Sequence, residues 1–405
     1  MAAQELSHRL PGKAFDQAKK LALRIDQTRE LVATLSQMKG AAMKAGQLLG
    51  LEAGELLPPE VVEVLSKLQS EGQALGFDKI EAILKHELKE KYADLTDLTQ
   101  KPIASASIGQ VHKASFQGRE IVLKVQFPGI GDTIDSDVEM LSSLIDKFKF
   151  ITNKKVDLSP LFEEIRQTLH QETDYLTELA FMQSYGENFQ GLAAYVIPRP
   201  IPELSTKHVL AMEYVRAHSM NDWSKFAEPE QKQLIGERMM ELFLKEYLEH
   251  GLVQTDPNWG NFLVTDKNEL VVLDFGACKT YSKEFIATYR KILAFSMRRE
   301  KAALLEISYG FGLIDEREPQ EVKDKYLHMM DVVIAPFRHQ GVFDFATETY
   351  SQASKDASLE FAKSLKFSPP PKNLIFLHRK LGGVFLTLKR LETKMDLRLV
   401  WEKMV

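Results

Sequence analysis

Apolar positions change their spacing along the chain, and each change marks a different kind of element. From residue 14 to about residue 50, Phe15, Ala18, Leu21, Ile25, Val32 and Leu35 recur at steps that keep one helix face apolar. Gly40 and Gly46 interrupt that helix and Pro58-Pro59 closes it. Pro59-Glu60 opens a second helix that reaches Lys67, and a third runs from Phe77 to Leu88. At Lys101 the period shortens to two. Val111 to Phe116 and Glu120 to Phe127 alternate about Gln117-Gly118, which predicts a hairpin. Helical spacing returns at Ile134 to Phe148 and from Leu161 through about Phe189, and two further strands follow at Val196 to Pro198 and Val209 to Val215. The last strand enters a linker. Beyond it come a helix from Gln231 to Glu249 and a hairpin of Phe262-Leu263-Val264 and Leu270 to Leu273 around Thr265-Asp266-Lys267-Asn268. Helices then run from Lys283 to the end, broken at Pro369-Pro370-Pro371 and resumed from Leu374 to Leu391. The expected class is α+β: a helical extension at residues 1–100, a small β-rich lobe at 101–215 and a large helical lobe at 216–405. No internal repeat or low-complexity tract is evident.

Composition narrows the setting. A chain of 405 residues with 44% hydrophobic and 27% charged content is ordinary for a soluble globular protein of two or three packed units. A net charge of −5 gives no electrostatic case for nucleic acid as a partner. The single cysteine, Cys278, excludes an intramolecular disulfide and fits a reducing compartment. The opening MAAQELSHRLPGKAFDQ lacks the apolar core of a signal peptide, and no stretch reaches the ~18 uninterrupted apolar residues of a membrane span. A cytoplasmic protein is expected, with any membrane contact peripheral at the inner face. Lys13, Lys19, Lys20, Arg24 and Arg29 beside the N-terminal apolar stripe suit an anionic membrane surface, and equally a helix packed on the lobes.

The candidate chemistry centres on residues 250–280. Asp256 is followed five residues later by Asn261, then by the hairpin, then by Asp274-Phe275-Gly276. That order is how phosphoryl-transfer sites place a base and two metal ligands, here Asp256 as base with Asn261 and Asp274 on Mg²⁺. An amide carbonyl and a carboxylate are oxygen ligands of the kind that hard cation prefers. Upstream, the small residues Ala104, Ser105, Ala106 and Ser107 form a loop whose backbone can approach phosphates. Lys124 sits inside the apolar run Val122 to Val125, where burial requires a charged partner; an edge-strand lysine facing solvent is the alternative. Glu172, Asp174 and Glu178 lie within seven residues beside Leu176, Leu179 and Ala180, so at least one should face inward. Asp174 and Glu178, four apart, are expected to share a helix face. In a kinase-like plan the linker backbone from Glu213 to Val215 reads the adenine edge. Small residues around Lys44, Gly46 and Gln47 allow close backbone approach, either to a site or within tight helix packing.

Together these residues resemble the UbiB (AarF-type) atypical protein-kinase-like family, over nearly the whole chain from about Leu31. Five ordered motifs carry the resemblance: Lys44-Ala45-Gly46-Gln47, the Ala-rich stretch Ala104 to Ser107 within ASIGQVHKA, Lys124, Glu172-x-Asp174, and QTDPNWGN with LDFGA. The wording around Asp256 is similar to the ubiquinone-biosynthesis branch. The resemblance implies a two-lobed protein-kinase-like fold that binds ATP with Mg²⁺, with weak ATPase activity in ubiquinone and isoprenoid-lipid metabolism. Its implied partners are nucleotide, isoprenoid lipid or ubiquinone precursors, and ubiquinone-biosynthesis proteins. Within that frame Lys124 contacts the α- and β-phosphates with Glu178 as its partner. Glu172 and Asp174 are then available to the regulatory Lys44, Gly46 and Gln47 segment, which covers the place where a protein kinase binds its peptide.

Departures from ordinary protein kinases are informative. Ala and Ser replace the glycine-rich loop, Gln254-Thr255 replaces the His-Arg before the catalytic Asp, and no Ala-Pro-Glu follows Asp274-Phe275-Gly276. These argue against phosphorylation of proteins in trans. Two other classes stay open: a small-molecule kinase of the aminoglycoside-phosphotransferase type and an ATP-binding pseudokinase scaffold. The first lacks its His-x-Asp loop here. The second is weakened by retention of Lys124, Asp256, Asn261 and Asp274.

Overall fold

The computed structural model describes residues 41–53, 75–106, 108–152, 158–346, 348–366 and 372–402. The helix expected before residue 41, the one from Pro59 to Lys67, the five N-terminal basic residues, Ser107 and the Pro369-Pro370-Pro371 break lie outside them. Contacts divide the chain into two units. The first holds the described residues up to Gly118, Val122–Asp174 and Thr206–Val209; the second holds Arg119–Ile121, Tyr175–Ser205 and the chain from Leu210 onward.

In the first unit, helix α1 (Ala41–Ala53) precedes α2 (Phe77–Leu88), whose Ile80, Leu84 and Leu88 form one buried stripe at four-residue steps. Strands β1 (Leu95–Thr96), β2 (Ala104–Ala106), β3 (Gly109–Phe116) and β4 (Arg119–Gln126, its first three residues in the second unit) follow. The hairpin read at Gln117-Gly118 is present. Both residues have positive φ, 52° and 75°, the combination of a type I′ turn that matches strand twist, with glycine taking the second position. Alternation decides the faces of β4: Ile121, Leu123 and Val125 have no exposed surface, which leaves Val122, Lys124 and Gln126 on the opposite face.

Ala104 to Ala106 is a correction to the sequence reading. Expected as a loop, it pairs antiparallel with β3, Ala104 opposite Val111 and Ala106 opposite Gly109. Alanine and serine have little preference for strand, but β3 is long enough to supply ladder partners, and context overrides propensity.

Helices α3 (Ile130–Thr152) and α4 (Ser159–Glu172) complete the unit, and α1 packs against both. Its Ala41, Ala42, Ala45 and Gly46 are buried, and the Ala42 N–H donates to Asp137 Oδ2 on α3 at 3.1 Å. The helix expected from Leu161 to about Phe189 is in fact two. It breaks at Thr173-Asp174 before α5 (Tyr175–Asn188), so Asp174 shares no helix face with Glu178. The apolar spacing runs through the break, but Gln126 Nε2 donates to the Thr173 carbonyl at 2.9 Å, and the Thr173 hydroxyl donates back to Leu169 O.

The second unit opens with α5. Strands β5 (Tyr195–Val196), β6 (Val209–Glu213, its first residue in the first unit) and β7 (His218–Ser219) follow, then α6 (Met220–Phe226) and α7 (Pro229–Leu244). Instead of continuing to Glu249, α7 widens into a π-helical turn at Lys245–His250, which carries Glu246 and Tyr247 inward. Next come β8 (Leu252–Gln254), β9 (Phe262–Val264), β10 (Leu270–Val272) and β11 (Cys278–Thr280). One sheet has the order β5-β10-β9-β7, and β8 pairs antiparallel with β11.

Helices α8 (Lys283–Arg298), α9 (Lys301–Phe311), α10 (Gln320–Val333) and α11 (Ala335–Arg338) lead to β12 (Phe343–Asp344) and α12 (Glu348–Ser364). The chain closes with α13 (Lys372–Arg390), β13 (Lys394–Met395) and α14 (Leu397–Glu402). Phe243, Tyr247, Tyr289, Tyr326 and Leu388 belong to their shared apolar core. Among the described residues no helix is long and apolar enough to cross a membrane.

Candidate active site

The hairpin forms as its sequence requires: three-residue strands β9 and β10 place Val272 opposite Phe262 and Leu270 opposite Val264. Phe262, Val264, Leu270, Val271 and Val272 have no exposed surface, so the open end of the hairpin is fixed from within. Just before β9, Asn258 caps a single 3₁₀ turn, Trp259–Asn261, through Oδ1 to the Gly260 N–H at 2.9 Å. That turn brings Asn261 back onto Asp256. Asn261 Nδ2 donates to Asp256 Oδ2 at 3.0 Å and to its backbone oxygen at 3.3 Å. With the amide NH₂ so committed, Oδ1 is the end of Asn261 that can ligate a cation.

Asp274 stands at the same open end, just past β10. The Leu273 N–H donates to Asn261 O at 3.0 Å, which ties the two strand ends together. Asp274 Oδ1 accepts the Gly276 N–H at 3.0 Å, closing a tight turn at its own backbone. Phe275 is fully buried with its ring 4.7 Å from that of Tyr185. Its N–H faces Glu178 Oε1 at 3.5 Å, and Glu178 is only 1% exposed. Asp256, Asn261 and Asp274 remain half-exposed, while Phe275, Gly276, Ala277 and Cys278 are buried. These three side chains therefore keep partial access to solvent above a buried base.

Donors of this kind fit Mg²⁺, which needs only one or two protein oxygens and completes its shell with phosphate and water. Among the described residues no cluster of three or more His, Cys, Asp or Glu could hold a metal alone. Burial, with the nearby Glu246 and Asp274 charges, pushes the Cys278 thiol well above the ordinary range and disfavours its thiolate.

In the first unit, Lys124 is half-buried within β4, and Ala104 and Ser105 are exposed. Lys44 Nζ lies 3.0 Å from Glu172 Oε2, the two side chains 13% and 9% exposed. Gly46 is buried, and Gln47 and Asp174 are half-buried. Of the linker residues, the Glu213 N–H donates to Arg199 O at 2.9 Å, and the next residue, Tyr214, donates to Glu120 O at 3.0 Å. Val215 is half-buried.

Residues 67–308 match the ABC1 atypical kinase-like domain. The chain belongs to this ABC1 (UbiB) atypical kinase-like family. The matched stretch contains Lys124, Glu172, Glu178, Asp256, Asn261 and Asp274; Lys44, Gly46, Gln47 and α13 lie beyond its ends. The mitochondrial atypical kinase COQ8 of Saccharomyces cerevisiae is 32% identical over 88% of this chain and 72% of its own length. The COQ8 of Schizosaccharomyces pombe, also mitochondrial by name, is 30% identical over 90% of this chain and 60% of its own length. A Mycobacterium tuberculosis protein solved in complex with erythromycin superposes with a TM-score of 0.65. It shares 22% identity, with 96% of this chain and 98% of that one covered, and supports the kinase-like fold.

The sequence reading of this ABC1 chain missed two polar anchors on β3. Gln110 and His112 have no exposed surface. Gln110 Oε1 accepts the Leu75 N–H at 2.8 Å, and His112 Nδ1 lies 2.7 Å from Thr99 O. A signal was present: both residues fall on the inward phase of an alternating strand, where an unsatisfied polar group is costly. Gln254 and Thr255 were noted only as replacements for His-Arg, yet neither has exposed surface and both are fully engaged with the fold.

Proposed function

We propose that the protein binds Mg-ATP and hydrolyses it slowly, as part of ubiquinone or other isoprenoid-lipid biosynthesis. The observation that carries this reading is the Asn261–Asp256 hydrogen bond of 3.0 Å at the open end of the β9–β10 hairpin, where Asp274 also lies. Asn261 Oδ1 and the Asp274 carboxylate would hold Mg²⁺, and Lys124 would contact the α- and β-phosphates. The metal would supply positive charge that offsets the charge developing on the phosphates. Asp256 orients the attacking hydroxyl or water and accepts its proton at the carboxylate. Asn261 holds that carboxylate in place through its NH₂. Lys44, Gly46, Gln47, Glu172 and Asp174 act as a regulatory group that sets which nucleotide is preferred. Family membership, and relatives named as mitochondrial COQ8 kinases, support the lipid setting.

Asp256→Asn tests the chemistry. ATP affinity should stay within about threefold of the parent while hydrolysis falls by about 10²-fold or more, because a general base acts in the transition state. Equal turnover by the two proteins would remove Asp256 from that role. Hydrolysis should be measured with and without vesicles carrying ubiquinone precursors, and the lipid extract scanned for phosphorylated product.

A further inference from the structure

One face of α13 meets the Asp256 loop residue by residue. Arg379 Nε donates to Thr255 O and Arg379 Nη2 to Thr255 Oγ1, both at 3.0 Å. Lys380, with no exposed surface, donates to Gln254 Oε1 at 3.0 Å and lies 3.2 Å from Glu246 Oε2. Gln254 Nε2 in turn donates to the Asp256 backbone oxygen at 2.7 Å. A Cβ placed on Gly383 would sit 2.1 Å from Pro257 Cγ and 2.2 Å from its Cβ, so the helix backbone lies directly against that ring. Trp259 Nε1 donates to Thr387 Oγ1 at 2.8 Å, and the Arg390 guanidinium carbon is 5.1 Å from the Trp259 ring centroid.

At 100° per residue, positions 379, 380, 383, 387 and 390 fall within an arc of about 100° on the helix. From Lys380 to Thr387 their partners advance along the loop, from Gln254 through Pro257 to Trp259. Glu246 extends the grip from the other side: it accepts the Tyr185 hydroxyl at 3.0 Å and has no exposed surface. The residues before Asp256 are therefore held by cations built into the fold. They are not held through an arginine that would need an added phosphate to engage it.

We infer that α13 is a positioning element for the reaction: its Arg379, Lys380, Gly383 and Thr387 set the backbone of the Asp256 loop in its working register, independently of any modification. This rests on the proposed role of Asp256, and it adds a helix outside the matched kinase-like stretch to the machinery. None of the four touches a reacting atom. Each acts through Gln254, Thr255, Pro257 or Trp259.

Two adjacent glycines supply the test. Gly383→Ala drives a methyl group into Pro257, whereas Gly382 has nothing within 4 Å of its would-be Cβ, so Gly382→Ala is the matched control. Both changes favour helix equally. Amide hydrogen exchange without nucleotide should rise at least tenfold at residues 255–261 in Gly383→Ala and stay at the parent level in Gly382→Ala. Hydrolysis by Gly383→Ala should fall about tenfold or more in kcat, with Mg-ATP affinity within about threefold, since small misplacements of a catalytic group are costly. Arg379→Ala should give the same pattern, and Arg379→Lys, which keeps one donor, should recover part of it; this pair decides the matter if Gly383→Ala fails to fold. Loop exchange in Gly383→Ala or Arg379→Ala equal to the control overturns the inference, as does exchange that rises uniformly through the second unit. If the parent hydrolyses no ATP, the proposed function fails, while the exchange comparison still decides the role of α13.

Discussion

Two lysine–glutamate pairs stand in opposite regimes. Lys44 and Glu172 meet at 3.0 Å with 13% and 9% of their side chains still exposed, on helices packed by small residues. Lys380 and Glu246 meet at 3.2 Å with no exposed surface at all. In low dielectric, the sealed pair is held by the cost of separating it, because either charge left alone would be buried without compensation. Burial raises the Glu246 carboxyl above its ordinary range, against the opposing pull of Lys380 and of the Tyr185 hydroxyl. The Lys44–Glu172 pair, half-open by comparison, keeps some contact with water, so separating it costs less than separating the sealed pair. The first pair suits a regulatory contact and the second suits a fixed mount.

Breaking the sealed pair should have the larger effect. Lys380→Met leaves the Glu246 carboxylate buried without its cation and should lower unfolding free energy by about 3–5 kcal/mol. Adding Glu246→Leu should return most of that loss, because a buried ion pair replaced by apolar groups of similar size is often close to neutral. Urea denaturation of the parent, single and double variants measures both steps. A single variant as stable as the parent would mean that the pair carries no such load.

The half-open pair sharpens the comparison. Lys44→Ala should cost about 2 kcal/mol, between the ranges for exposed and buried pairs. If the Lys44 segment is regulatory, the ratio of ADP to ATP affinity should shift by about threefold or more, while the protein remains folded. Unchanged preference, turnover and autophosphorylation would leave the segment with a packing role alone.

How much of this was legible in the sequence follows from the range of each interaction. The helix Phe77–Leu88, the Gln117-Gly118 hairpin and the β9–β10 hairpin are encoded by neighbours, and each formed where its pattern lay. The spacing of Asp256, Asn261 and Asp274 was readable because a short turn and a short hairpin close on themselves. The break at Thr173-Asp174 was not readable, since the apolar period continues from Leu169 to Leu176 and Leu179, and the carbonyl that ends the helix is captured by Gln126, 47 residues away. Strand pairing by Ala104 to Ala106 likewise depends on β3 rather than on the segment's own preferences. The helix from Leu374 to Leu391 was read where α13 lies, but its grip on the Asp256 loop was hardest of all: Arg379, Lys380, Gly383 and Thr387 carry no motif, and their partners lie more than 120 residues upstream.

The measurement that bears most directly on the proposed function is calorimetric titration of ATP with and without Mg²⁺, in the parent and in Asp274→Asn. Expected is tight binding by the parent that depends on Mg²⁺, and in Asp274→Asn a fall of about tenfold or more confined to the Mg²⁺ condition, because a charged oxygen ligand has been removed. Identical Mg²⁺-dependent affinity in the two proteins would contradict a metal-bound nucleotide at Asp274.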